Sequence, residues 1–284
     1  MITESKQWEK INTFEGDDFF HKITAWDPNT NGVRYLKMLL YNLGMNLTKK
    51  EFEILDRIKN RNTDNPYSVT INGRTIDYDY LQTIYEVSVL KKYDGYYQEN
   101  YFDSVLEIGA GYGRTCHGLL SNLNINEYTI IDLENMLEHS KKYLKSVLDP
   151  ITYEKITFLT IDEFHKLKDY DIAIQIDAFN EMDRETVETY LKYIKTHCNM
   201  FYTKNPVGKY LDKSLDNHIL GDEMVQNALS SGILTDMVDI NDNQNIKRAS
   251  NKFIETYKFI DWQVNYEGWA KPVSFMWESL YVKL

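Results

Sequence analysis

The run Val105-Leu106-Glu107-Ile108-Gly109-Ala110-Gly111-Tyr112-Gly113 joins a short apolar stretch, an acid and three alternating glycines. It reads as a strand feeding a nucleotide-binding turn. Such a turn needs backbone angles closed to other residues, and it lets the main chain approach a ligand with no Cβ in the way. In a dinucleotide-binding turn the glycines fall as G-x-G-x-x-G, the third beside the helix that receives a pyrophosphate. Here that last position is Arg114. A carboxylate two residues before Gly109 suits a cationic ligand group better than a pyrophosphate. Further on, Glu127-Tyr128-Thr129-Ile130-Ile131-Asp132-Leu133 reads as a second buried strand closed by an acid. Doubly wound sheets bind across the carboxyl ends of neighbouring strands, so Asp132 stands where a carboxylate accepts ribose hydroxyls. Taken alone, it would read as the cap of the next helix.

The order acidic-x-Gly-x-Gly-x-Gly resembles the first motif of the class I methyltransferases that bind S-adenosylmethionine. The resemblance implies S-adenosyl-L-methionine as the cofactor, with Glu107, Gly109, Ala110, Gly111 and Gly113 at the turn and Asp132 with Leu133 at the second strand tip. Residues 156–161 read as a third strand tipped by Asp162, and residues 170–176 as a fourth tipped by Asp177. Asp162 either meets the adenine amino group or caps the helix beginning near Glu163. Asp177 joins the cofactor set, and Phe179 is expected as a wall of the cofactor site.

The loop after the fourth strand, Asp177-Ala178-Phe179-Asn180-Glu181-Met182-Asp183, marks the acceptor side. A hydroxyl acceptor must lose its proton as the new carbon–oxygen bond forms, so Asn180 and Glu181 are candidates for acceptor binding or general-base work. The alternative is that Asp183 caps the following helix and Glu181 supports its dipole. Of the six histidines, His218, beside Asp216 and Asn217 in a polar segment, is the candidate base on a lid. His117 lies too far down its helix, and His139 and His197 fall within amphipathic helices. Asp177 with Glu181 is a thin basis for a divalent ion, so no metal is assigned.

These residues need a scaffold. From Ser104 onward the chain alternates strand and helix, as a parallel sheet with right-handed crossovers requires. Helices are expected over 114–123, after Asp132 up to Asp149-Pro150, and through Val187, Leu191 and Ile194. A fifth strand is expected over 199–206, then an inserted lid segment at about 207–255 with helices near 219–229 and 246–253. Two aromatic, β-branched stretches, 259–266 and 274–284, read as a closing antiparallel hairpin. Residues 1–100 read as a mostly helical extension or cap, with helical spacing over 33–43 and 80–90, a turn at Asn72-Gly73, and aromatic pairs Phe19-Phe20 and Tyr96-Tyr97. The expected fold is α/β, a doubly wound Rossmann-like sheet with an antiparallel C-terminal hairpin, over 101–284.

A net charge of −11, from 43 acids against 32 bases, argues against a partner with a polyphosphate backbone. The stretch Asp177-Ala178-Phe179-Asn180 also lacks the Asn/Asp-Pro-Pro-aromatic motif of amino-group methylation on bases. No apolar run approaches membrane-spanning length, the start is polar, and the two cysteines exclude a disulfide framework, so a cytoplasmic setting is expected. The glycine motif, Tyr128-Thr129-Ile130-Ile131-Asp132-Leu133-Glu134-Asn135-Met136-Leu137, Asn180-Glu181-Met182 and Phe201-Tyr202-Thr203-Lys204-Asn205 together resemble the bacterial sugar O-methyltransferases. That resemblance implies a transferase for sugar O-methylation, with a small-molecule or saccharide substrate. A second copy in a homodimer is the other partner considered, with no nucleic acid and no membrane. The other readings are methylation of a non-sugar metabolite or peptide group, and a non-catalytic Rossmann-like binding module.

Overall fold

A computed structural model describes residues 28–61, 65–93, 101–210 and 221–284. His218, with Asp216 and Asn217, lies outside the described residues, as do Phe19-Phe20 and Tyr96-Tyr97. Contacts divide the chain into two compact units, residues 1–46 with 63–78, and residues 47–62 with 79–284. That division falls elsewhere than at residue 100.

In the first unit, α1 (Pro28–Met45) accompanies a hairpin of β1 (Val69–Ile71) and β2 (Arg74–Ile76). Asn72 and Gly73 close the hairpin with φ of 50° and 75°, the two-residue geometry that matches the twist of the flanking strands. α1 and the hairpin meet closely at Gly44, where a Cβ would stand 2.5 Å from Ile71 Cδ1.

The second unit carries the sheet. Two helices come first, α2 (Lys49–Arg57), whose start is closed by a reciprocal Thr48–Glu51 capping box, and α3 (Tyr78–Tyr93). Alternation follows as β3 (Tyr101–Ile108), α4 (Arg114–Asn122), β4 (Asn124–Asp132), α5 (Glu134–Val147), the short α6 (Pro150–Tyr153), β5 (Ile156–Thr160), β6 (Tyr170–Ile176), α7 (Arg184–His197) and β7 (Cys198–Pro206). The described chain closes with α8 (Asp222–Ser230), α9 (Asn243–Tyr257), β8 (Trp262–Trp269) and β9 (Met276–Lys283). The seven strands lie in the order β5-β4-β3-β6-β7-β9-β8. The first five are parallel, and β9 runs antiparallel between β7 and β8. This mostly parallel sheet, flanked by helices and ended by an antiparallel hairpin, is the doubly wound Rossmann-like fold expected from the sequence.

β6 shows why the centre is parallel: Ile172, Ala173 and Ile174 are all buried, the near-continuous apolar run of a strand covered on both faces. On one face, Val187, Tyr190 and Ile194 of α7 and Ile246, Phe253 and Tyr257 of α9 share a core cluster with Leu106, Ile108, Phe201, Trp277 and Tyr281. α9 is therefore a core helix of the sheet, and the span expected as an inserted lid over 207–255 ends in it. Its buried residues fall at Ile246, Ser250, Phe253 and Tyr257, one helical stripe. Phe179 corrects a second expectation. It is fully buried, with Tyr190, Phe201 and Tyr257 ring centroids at 6.0, 6.3 and 6.3 Å, and belongs to this core instead of walling a ligand site.

α3 and α4 pack so tightly that a Cβ on Gly118 would lie 2.0 Å from Thr83 Cγ2. Alanine gains about 1 kcal/mol over glycine in a helix interior, whereas overpacking costs about 1–3 kcal/mol. Gly118→Ala is therefore expected to destabilise the protein in urea unfolding. In a Thr83→Ser background, which removes only the obstructing methyl, the same substitution is expected to become neutral or stabilising.

Candidate functional site

Three strand ends are drawn together at the carboxyl edge of the sheet. Gly109, at φ 71°, leaves β3 and donates its N–H to Ile131 O at 3.0 Å, tying the turn to β4. A Cβ on Gly109 would stand 2.4 Å from Ala178 Cβ, so only glycine lets this turn meet the loop after β6. Gly111 N–H donates to Asp132 Oδ2 at 2.9 Å, and Gly113 N–H to Ala110 O at 3.0 Å. Gly113 then starts α4 in the left-handed region, at φ 96°.

The resulting cleft encloses about 630 Å³ and is lined by Gly109, Gly111, Ile131, Asp132, Leu133, Asn135, Met136, Ile161, Ile176, Asp177, Ala178, Glu181, Met182, Asp183, Thr186 and Tyr190. That is the size range of small-molecule sites. Leu133 and Ile161, 52% and 50% exposed, stand at the tips of neighbouring strands β4 and β5 and give the cleft an apolar wall. Beside them, Asp132 Oδ1 accepts from Leu133 N–H at 2.8 Å, leaving each carboxylate oxygen a further lone pair. Burial raises the Asp132 pKa against the pull of the Leu133, Gly111 and Ala110 amides.

Four carboxylates, Asp132, Asp177, Glu181 and Asp183, line the cleft, and no Lys or Arg does among the described residues. Burial raises the Asp177 pKa, opposed by Lys204 and Lys209. For Glu181 burial again acts first, and the Asp177 and Asp132 charges push the same way while Lys209 opposes. Asp177 is held at φ 62°, its N–H on Lys204 O at 2.7 Å. A non-glycine residue in that region costs free energy that the surroundings must supply. Gln175, buried in β6, contributes: with its amide turned to satisfy its neighbours, its oxygen accepts from Ala178 and Phe179 N–H at 2.7 Å each.

The expected site residues thus divide. Gly109, Gly111, Asp132, Leu133, Asp177 and Glu181 come together in the cleft, while Ala110 and Gly113 shape the turn behind it. Asp162 is exposed beside Ile161, and the cap of its 3-10 helix (Ile161–Lys166) is made by Thr160 and Glu163 instead. Asp183 caps α7, accepting from Thr186 N–H at 2.8 Å, while Glu181 precedes that helix and faces the cleft. Glu107, expected near a ligand's cationic group, is 3% exposed and accepts from the Tyr128 hydroxyl at 2.7 Å. Strand alternation explains this: Leu106 and Ile108 enter the core cluster, so Glu107 turns to the opposite layer.

Asn180 is not open to a ligand in the expected way, because Lys209 Nζ donates to its Oδ1 at 2.7 Å and its main-chain oxygen at 2.9 Å. The same ammonium reaches Ser231 Oγ at 3.2 Å, and Gly232 N–H donates to Met182 O at 2.6 Å. The chain after α8 is thereby fastened to the loop after β6. Sequence reasoning passed over Lys209 and Gln175. A glutamine amid Ile172-Ala173-Ile174 was the available signal for one of them, and Lys209 had none. Among the described residues no group of three or more His, Cys, Asp or Glu is placed to hold a metal ion. Nor is any described helix long and apolar enough to cross a membrane.

No family model matches the chain, and no curated protein matches it in sequence. Among solved structures it is similar to an S-adenosylmethionine-dependent methyltransferase from Clostridium acetobutylicum, at 12% identity and TM-score 0.45 over 73% of this chain and 93% of that one. It is similar also to the methyltransferase domain of bacterial CtHen1, at 16% identity and TM-score 0.47 over 72% and 100%. A third is the glycopeptide N-methyltransferase MtfA complexed with S-adenosylmethionine, at 13% identity and TM-score 0.43 over 69% and 87%. At these values the likeness is one of chain path, and no residue role is taken from it.

Burial lifts the Glu107 pKa to about 7, with Tyr128 and Arg114 pulling it down. Between the ordinary carboxylate range and that value the native state keeps a proton the unfolded chain has lost, so this group's contribution to stability falls as pH rises. His117, lowered to about 4 by burial, acts with the opposite sign at lower pH, so the informative quantity is a difference between variants. Glu107→Gln is expected to gain stability relative to the wild type as pH goes from 5 to 8, read from urea midpoints. A constant difference across that range would contradict the assignment.

Proposed function

We propose that the protein is an S-adenosylmethionine-dependent O-methyltransferase acting on a hydroxyl of a sugar or glycosylated small molecule. The observation that carries this reading is the pairing, in one cleft, of the apolar Leu133–Ile161 wall and Asp132 with a carboxylate-lined end at Asp177 and Glu181. An adenosine group is matched by the first part, its ring by the apolar wall and its ribose hydroxyls by Asp132. A cationic sulfonium and amine are matched by Asp177, whose pKa is raised by burial, in a cleft that no Lys or Arg lines among the described residues. A pyrophosphate would meet only like charge there. The sugar acceptor is supported by the motifs that resemble sugar O-methyltransferases.

S-adenosylmethionine, when bound, supplies a methyl group on a positively charged sulfur. The protein's own share of the work is alignment and exclusion of water, with Asp132 and the turn fixing one reactant and the Asp177–Asp183 loop facing the other. Glu181 is the base. Its carboxylate would take the acceptor hydroxyl's proton while the methyl passes to that oxygen and the sulfur keeps the electron pair of the broken sulfur–carbon bond as a neutral thioether. Burial raises the Glu181 pKa towards the working pH. Lys209 holds Asn180 and so keeps this loop in place.

Incubation with methyl-labelled donor and a panel of glycosides, nucleotide sugars and peptides tests the reading. Label is expected in a carbohydrate hydroxyl, and Glu181→Gln is expected to lower kcat by about 100-fold with little change in the donor KM. Label confined to a peptide would overturn the sugar acceptor, and undiminished turnover in the variant would remove Glu181 as the base.

A further inference from the structure

Beneath the cleft lies a group of buried charges that the proposed chemistry does not use. Glu86 of α3 and Lys204 of β7 have side chains only 1% exposed, and Arg114 opens α4. Arg114 Nη1 donates to Glu86 Oε2 at 2.8 Å and Nη2 to Oε1 at 3.3 Å, while Lys204 Nζ donates to Glu86 Oε1 at 2.9 Å. Arg114 Nη1 also reaches Thr83 Oγ1 at 2.6 Å and Asp79 O at 3.3 Å. All of these guanidinium contacts go to α3.

Arg114 is out of place by local rules. As the first residue of α4 it puts a cation at the positive end of a helix dipole, where acids belong. Burying such a cation costs more than an apolar side chain would. A carboxylate delivered from α3 reverses both penalties, since Glu86 neutralises the guanidinium and stands as the acid the helix start lacks. The fork also has directional consequences. Two N–H bonds to one carboxylate fix the plane of the guanidinium, unlike a single contact. Arg114 directly follows Gly113, which starts α4 at φ 96°, so a fixed guanidinium adds a constraint behind a turn already bonded to Ile131 and Asp132.

We propose that Glu86 is a positioning residue for the glycine turn, holding Arg114 so that the Ala110–Gly113 backbone keeps its place against Asp132. This rests on the reading that the turn and Asp132 hold S-adenosylmethionine. Glu86 acts through Arg114 and lines no part of the cleft. Lys204, the other cation on the same carboxylate, binds Glu86 to β7 and also donates to Gln82 Oε1 at 3.1 Å.

The test is calorimetric titration of the full chain with S-adenosylhomocysteine, beside urea unfolding, in the wild type, Glu86→Gln, Arg114→Met, Thr83→Val and Glu278→Gln. Glu278 is a buried carboxylate bonded to the Tyr202 and Tyr266 hydroxyls. Its charge is felt by Lys204 and Glu86 but it takes no bond from Arg114, so its variant reports loss of a buried carboxylate with the Arg114 fork left in place. Glu86→Gln and Arg114→Met are expected to weaken binding by about tenfold. Thr83→Val, a milder change that keeps the fold if Glu86→Gln does not, is expected to weaken it by about threefold. Glu278→Gln is expected to bind within about twofold of the wild type whatever its stability. Unchanged affinity in Glu86→Gln or Thr83→Val, or affinity that tracks stability across all four variants, would overturn the inference while leaving the cofactor reading intact. Absence of binding to the wild type would overturn that reading and the inference with it.

Discussion

The site depends on one close approach, the backbone of Gly109 against Ala178. With any side chain at position 109 the turn after β3 and the loop after β6 would be pushed apart, since a Cβ would lie 2.4 Å from the Ala178 methyl. Because they meet, the ends of β3, β4 and β6 form one continuous edge. Gly109 is bonded to Ile131, Gly111 to Asp132, and Asp177 to the end of β7. The loop that carries Glu181 is therefore set by the turn that carries the glycines, and the two ends of the cleft share one frame.

Charge is sorted by depth around that frame. Carboxylates face the cleft at Asp132, Asp177, Glu181 and Asp183, whereas Lys204 and Lys209 lie behind them with their protons already committed. An opposite partner stabilises a carboxylate strongly only in direct contact and low dielectric. Glu86, touched by both Arg114 and Lys204, is held down at about 2 despite burial. Asp177 and Glu181, with lysines nearby but no ion pair, stay raised by burial. The cleft thus presents carboxylates with no direct cationic partner among the described residues, whereas the buried Glu86 is paired with both Arg114 and Lys204.

Short-range patterns were legible in the sequence and long-range partners were not. Apolar runs ending in acids placed β3, β4, β5 and β6, because strand period and tip chemistry are local properties. The glycine turn was legible for the same reason. Glu107 was misplaced because its ligand role was argued from charge, while strand alternation and Tyr128 on the next strand decide where its carboxylate goes. α9 was read as part of a lid because polar residues surround it, yet four inward positions make it a core helix. Lys209 finds Asn180 across 29 residues and Lys204 finds Glu86 across 118, pairings that only the folded sheet creates.

Hydrogen–deuterium exchange with and without saturating S-adenosylhomocysteine tests the central claim most directly. Slower exchange is expected in three separate segments, 110–113, 132–134 and 177–181, with the β8–β9 hairpin unchanged, because these segments converge on one cleft. Exchange unaltered in those segments, or protection confined to another part of the chain, would contradict it.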